Sequence, residues 1–246
     1  MNTISIAAGT VTGGAHRRLG RGSQDAHAWS RAGDAAIAVV CDGCSGGARS
    51  EVGAAIGARL WISAIAAQVE TGVGVDLDRA RDRVLAELGA LVGAMGGDRD
   101  EIVREHLLFT SVIAVWTPAR LEVRSIGDGV IAIDGDVHAI AFEDNAPPYL
   151  AYGLAGPTPR WTAAIVRDDA RRVMIATDGA AAIESLDSFA ADDRWFANPD
   201  ALRRALAVQN REELSIDHAR GAIVRRPLPL DDDTTIVVMR REGGGA

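Results

Sequence analysis

Apolar positions along the chain change their period twice. Residues 4–10 form a short apolar run, and residues 35–40 (AAIAVV) are a stretch of small and β-branched residues. Both read as strands, the second as a buried one. Residues 13–23, rich in Gly and Arg, read as a loop between them. After the turn CDGCSGG at 41–47 the period becomes helical. Residues 51–69 predict a long helix with Ser50 as its N-cap. Residues 76–95 predict a second, with Leu77, Val84, Leu88, Leu91 and Met95 on one face and Gly96-Gly97 as its stop. The pattern then shortens again. Runs at 108–116, 121–126, 130–133 and 137–142 are broken by Pro118, Gly127-Asp128-Gly129 and Asp134-Gly135, which predicts a β-meander. Residues 143–158, with prolines at 147, 148 and 157, read as an exposed loop. Strands at 161–166 and 172–176, a helix at 199–209 and a last strand at 234–240 complete the chain. Helices near both ends with antiparallel strands between them predict a layered α+β domain, not a doubly wound parallel sheet. One domain over residues 1–241 and a loose tail at 242–246 suit the length of 246 residues.

Composition narrows the chemistry. A net charge of −8 with no basic stripe argues against a nucleic-acid partner. The chain has no lysine, so every basic residue is arginine; P-loop, kinase-strand and Schiff-base lysines are excluded. Cys41 and Cys44 are too few for a disulfide framework. The first 14 residues have no charged segment followed by a long apolar run, and no stretch reaches about 18 consecutive apolar residues. The expectation is a cytoplasmic protein with no membrane partner.

Aspartates recur at the ends of the predicted strands. Asp25, Asp42, Asp128, Asp178 and Asp232 each stand beside glycine, another acid or a strand boundary. A single Asp-Gly is more often a structural turn, so the weight lies in the combination. A carboxylate just past a buried strand is held by rigid backbone, and a neighbouring glycine permits close approach. Clustered carboxylates repel one another, and burying them unpaired is costly. Bound cations relieve both problems, and oxygen-only donors suit Mg²⁺ or Mn²⁺. Two such ions can share a water, lower its pKa and clamp a phosphoryl group.

In their order these turns resemble the motifs of the PPM-type (type 2C) protein phosphatases, in particular the compact bacterial branch. GSQDAH at 22–27 resembles the opening acidic motif, and AVVCDG at 38–43 with SGG at 45–47 the central strand and its glycine-rich turn. FTS at 109–111, IGDG at 126–129, IATDG at 175–179 and DDTTIVV at 232–238 match the remaining motifs, so the resemblance spans nearly the whole chain. It implies two packed antiparallel β-sheets flanked by α-helices, a four-layer α-β-β-α sandwich. It implies two Mn²⁺ or Mg²⁺ ions, with Asp42 bridging both, the Gly43 carbonyl as a further ligand, and Asp178 and Asp232 on the first ion. Asp25 would hold water on the second, and Asp128 is the remaining candidate for a third. A hydroxide bridging the metals would attack phosphoserine or phosphothreonine of a protein substrate in line. Arg21 is the best candidate for binding the phosphate, with Arg17 and Arg18 as alternatives.

Some positions depart from that pattern. Gln24 stands where many members have Glu. Cys44 stands where animal members have a His proposed to protonate the leaving group, and His27 is a possible substitute. Ala182 stands where a further Asp often helps hold the third metal. Two other readings compete. Gly43-Cys44-Ser45-Gly46-Gly47 matches a nucleophile elbow, with Asp178 and His218 following in order, but it leaves Asp25, Asp42 and Asp232 without a role. A pseudophosphatase that binds a phosphoprotein without turnover would explain Gln24 and Cys44. Cys41 and Cys44 also form a C-x-x-C, better read as a small buried hydrophobe and a turn residue.

Overall fold

The computed structural model describes residues 3–212, 214–225 and 228–242. Residues 243–246 of the expected tail lie outside the described residues. Among the described residues there are twelve strands: β1 (Ile4–Val11), β2 (Ala26–Ala32), β3 (Ala35–Cys41), β4 (Ser111–Trp116), β5 (Leu121–Ile126), β6 (Gly129–Ile133), β7 (Asp136–Ile140), β8 (Ala163–Arg167), β9 (Arg172–Ala176), β10 (Leu214–Asp217), β11 (Ala222–Arg225) and β12 (Thr234–Arg241). Six α-helices accompany them: α1 (Gly14–Arg18), α2 (Ser50–Glu70), α3 (Leu77–Met95), α4 (Arg99–Ile102), α5 (Leu186–Ala191) and α6 (Ala201–Gln209). The strands form two five-stranded sheets, ordered β1-β12-β9-β6-β7 and β2-β3-β4-β5-β8, and a separate β10-β11 hairpin. Every pairing is antiparallel.

Side-chain alternation sorts the core into three slabs. On β3, Ala36, Ala38 and Val40 face Val173, Ile175, Val237 and Met239 of the other sheet. The intervening Ile37, Val39 and Cys41 face α2 and α3 through Trp61, Ile65, Val84 and Leu88. Both faces are covered, which is why that run carries no polar residue. On the far side, Ile236, Val238 and Met174 pack on Leu202 and Leu206 of α6 and on Phe189 and Trp195. The α-β-β-α layering expected from the sequence is therefore the observed one. Helix α2 lies close to its sheet because its inner face is small: a Cβ on Gly57 would meet the Phe109 ring at 2.3 Å. This helix is long and apolar enough to cross a membrane by length and composition. It nevertheless buries Ala54, Ala58, Trp61 and Ile65 in the core.

Register then sets the position of the acidic turns. Ala26 pairs with Cys41, so Asp25 and Asp42 lie at one end of the second sheet. Ala176 pairs with both Ile236 and Val130, so Asp178, Asp232 and Asp128 lie together at one end of the first. Ser111 pairs with Ile126, which sets Thr110 beside Gly127.

Several local expectations are corrected. Ser50 is the first residue of α2 and not its cap, because its hydroxyl accepts a hydrogen bond from Gln24 Nε2 at 2.6 Å. The 13–23 loop contains the short helix α1. The 143–158 segment is not an exposed loop throughout: Tyr149, Leu150 and Ala151 are buried against the α2–α3 slab. Strand β2, helix α5 and the β10-β11 hairpin carry no clear apolar period and were not expected.

Candidate functional site

The five aspartates converge on one end of the sandwich. Four of them, Asp42, Asp128, Asp178 and Asp232, line a cleft of about 70 Å³ together with Gly43, Cys44, Ser45, Thr110, His16 and Asp233. Residues Asn145, Pro147 and Tyr149 form its remaining wall. Asp25 is buried behind this cleft at 9% exposure. A roomier groove of about 380 Å³ lies at the opposite end of the sandwich, near Ile4, Arg31 and Arg241, with Asp34 as its one carboxylate.

Each carboxylate is held by backbone that has little freedom. The Asp42 carbonyl accepts from Thr110 N at 2.8 Å, and Cys44 N donates to the Leu108 carbonyl at 2.9 Å. The chain past β3 is thus tied to the entry of β4. Gly43 is required there, because a Cβ would stand 2.7 Å from the Gln24 carbonyl oxygen. Gln24 is committed to the same brace through Ser50, and its Nε2 also reaches the Gly47 carbonyl at 3.3 Å. A neutral residue at this position therefore serves the turn itself. At the β5–β6 turn, Gly127 and Gly129 adopt φ of +89° and +137°, and this conformation presents Asp128 to the Thr110 hydroxyl. Thr177, just before Asp178, donates its hydroxyl to Asp25 Oδ2 at 2.7 Å and accepts from Thr235 N at 3.0 Å.

Among the described residues none of the five aspartates forms an ion pair, and the nearest basic group, His16, is paired with Asp233. Burial, followed by repulsion from Asp25 and Asp178, raises the Asp42 carboxyl well above the usual range. Asp25 is raised likewise, by burial and then by Asp233 and Asp232, against the opposing hydrogen bond from Thr177. Asp128 is pushed up to about 6 by burial and the neighbouring Asp178 charge, and Asp232 is raised by the same two causes. Asp25 Oδ1 and Asp178 Oδ1 are buried with no hydrogen-bond partner. Buried oxygens left unsatisfied beside mutually repelling carboxyls are the donor set a hard cation fits. Among the described residues no three His, Cys, Asp or Glu side chains close on a single point.

Not every expected residue is in the cleft. Arg21 is exposed and does not line it. Arg17 is spent on the Asn210 carbonyl and Arg18 on Asp231, whereas Arg21 forms no ion pair among the described residues. His27 is half-buried in β2 against Thr10 at 3.2 Å, and its partial burial lowers its pKa. Ser45 is on the rim, but His218 sits in the β10-β11 turn and does not line the cleft, so the elbow reading lacks its base. Cys41 is fully buried and its thiol is pushed up to about 12, as befits a packed apolar residue. Sequence reasoning missed His16, Thr177 and Asp233. The weak signal for Asp233 was its place in the triple Asp231-Asp232-Asp233.

Comparison with known proteins gives the family and the fold. The chain matches the protein phosphatase 2C family over residues 12–216 and belongs to that family. The matched region stops short of Asp232. The serine/threonine phosphatase Stp1 from Staphylococcus aureus shares the fold at a TM-score of 0.64 and 11% identity, over 99% of this chain and 96% of that one. The S. agalactiae serine/threonine phosphatase does so at 0.62 and 14%, over 98% and 100%. The structure containing the PP2C phosphatase domain of SpoIIE from Bacillus subtilis aligns at 0.53 and 16%, over 98% of this chain and 64% of that one. No curated protein matches the chain in sequence.

Proposed function

We propose that this chain is a metal-dependent protein phosphatase that hydrolyses phosphoserine and phosphothreonine monoesters, using Mn²⁺ or Mg²⁺. The observation that carries the reading is the carboxylate cluster at the strand ends of a type 2C fold, in which Asp25 and Asp128 are buried, Asp42 and Asp178 half-buried, and Asp25 Oδ1 and Asp178 Oδ1 have no hydrogen-bond partner. Asp42 would serve both ions, with the Gly43 carbonyl beside it. Asp178 and Asp232 would hold the first, and Asp128 a third. When bound, the ions supply Lewis acidity and a water of lowered pKa. The chain's own groups do the rest. Thr177 fixes Asp25 so that one oxygen stays free to orient water. The cleft wall from Asn145 to Tyr149 limits solvent access. In the reaction the water oxygen bonds to phosphorus, the ester oxygen of the substrate residue leaves, and that oxygen takes up a proton.

Hydrolysis of p-nitrophenyl phosphate should require Mn²⁺ or Mg²⁺ and stop on chelation. Metal binding by calorimetry without turnover under any condition would instead favour the non-catalytic phosphoprotein-binding reading.

Among the described residues, Arg21 is the arginine without an ion pair that stands nearest in sequence to the cluster. A charge-assisted contact to phosphate contributes about 1.5–3 kcal/mol. Arg21→Ala should therefore raise KM by roughly 10- to 100-fold and change kcat little, since such a contact acts on the ground state and the transition state alike. An unchanged KM would remove Arg21 from the site and return attention to Arg17 and Arg18.

A further inference from the structure

Asp233 is 2% exposed and collects three donors. Gly13 N–H donates to Oδ1 at 2.7 Å, Gln24 N–H to Oδ2 at 2.6 Å, and His16 Nδ1 to Oδ2 at 2.8 Å. All three come from the 13–24 segment, more than 200 residues earlier in the chain. Gly14 N and Ala15 N add bonds to the Leu230 and Asp231 carbonyls, at 2.9 and 2.8 Å. Gln24 directly precedes Asp25, and Asp233 directly follows Asp232. One buried carboxylate thus fixes the distance between two carboxylates that repel each other.

We propose that Asp233 and His16 are positioning residues: a clasp that keeps the Asp25 and Asp232 turns together against their repulsion, so that the cation site is assembled before any ion arrives. The proposal rests on the phosphatase reading above for its consequence, but the clasp itself is a property of the fold. A carboxylate bonded to two backbone amides can anchor those amides alone. The imidazole adds a third, side-chain tether and draws α1 into the site. Nδ1 carries the proton in this arrangement, because its partner oxygen can only accept. Asn at position 16 can present an amide N–H close to where Nδ1 stands, whereas Ala cannot.

The test compares His16→Ala, His16→Asn and Asp233→Asn with the wild-type chain. The readouts are amide hydrogen exchange at Gly13 and Gln24, Mn²⁺ binding by calorimetry, and kcat and KM for p-nitrophenyl phosphate. His16→Ala is expected to speed exchange at both amides at least tenfold in metal-free protein. It should also weaken Mn²⁺ binding by roughly 10- to 100-fold, the usual cost of losing a group that orients metal ligands. The loss should fall on kcat more than on KM, and His16→Asn should restore most of both. Asp233→Asn should exceed His16→Ala in every readout, or fail to fold, and the His16 pair decides the matter in that event. Unchanged exchange in His16→Ala overturns the clasp. So does failure of His16→Asn to recover, since His16 would then act on substrate through its other ring nitrogen. A wild-type chain that neither binds Mn²⁺ nor turns over would defeat the phosphatase reading, while faster exchange in His16→Ala would still establish the clasp.

Discussion

Asp42→Asn is expected to lower metal-dependent turnover by about 10³-fold or more, a loss on the order of 4 kcal/mol of transition-state stabilisation, without unfolding the protein. The two halves of that result have separate causes. The fold uses the backbone of Asp42, whose carbonyl is tied to Thr110 N; substitution leaves this bond intact. The ionised side chain is disfavoured in the metal-free fold by burial and by the charges of Asp25, Asp178 and Asp232. A neutral amide of the same shape removes that repulsion. The variant should therefore melt at or above the wild-type temperature in metal-stripped form, yet lose both Mn²⁺ affinity and hydrolysis. Thermal denaturation, calorimetry and p-nitrophenyl phosphate kinetics on the same preparations check all three. Turnover within tenfold of wild type would mean that the charge at position 42 is not the centre of the chemistry.

The sequence carried the architecture unevenly, for physical reasons. β3 and β12 were legible because both faces of each strand are buried, which forces an uninterrupted apolar run. β2 was not: it is an edge strand, and AHAWSRA alternates weakly, with Trp29 left exposed. The β10-β11 hairpin leaves Leu214, Ile216 and Ile223 exposed, so its pattern has no core to answer to. Ser50 has an ordinary capping residue type, but a tertiary partner, Gln24, took its hydroxyl.

The candidate site divides in the same way. Asp25, Asp42, Asp128, Asp178 and Asp232 were legible because strand-end aspartates flanked by glycine or acid leave a mark in one dimension. What holds them does not. His16, Thr177 and Asp233 act only through partners 58 to 220 positions away, and nothing local distinguishes them from turn or strand residues.

The same electrostatics fix how stability responds to pH, with a sign opposite to that of most carboxylates. An unfolded aspartate titrates near 3.9. In the folded, metal-free protein Asp128 titrates at about 6, and Asp25, Asp42 and Asp232 are raised as well. Above pH 4 the folded state therefore holds more protons than the unfolded one, and stability falls as pH rises through the window. For Asp128 the penalty is absent below about pH 4 and complete above about pH 6–7, on the order of 2–3 kcal/mol. Other groups run the other way. The surface carboxyls of Asp193 and Asp200 are lowered by arginine partners, and His27 is lowered by burial. A difference measurement cancels them. Metal-stripped Asp128→Asn, in which the amide oxygen can still accept from Thr110, should match wild type in urea denaturation near pH 4 and exceed it by about 2 kcal/mol near pH 8. Saturating Mn²⁺ should reverse the order at pH 8, because the ion needs the ionised carboxylates that the fold otherwise resists. A pH-independent difference between the two proteins would show that Asp128 is not held in the repulsive cluster. The cluster's cost without metal and its affinity for metal would then have to come from the remaining carboxylates.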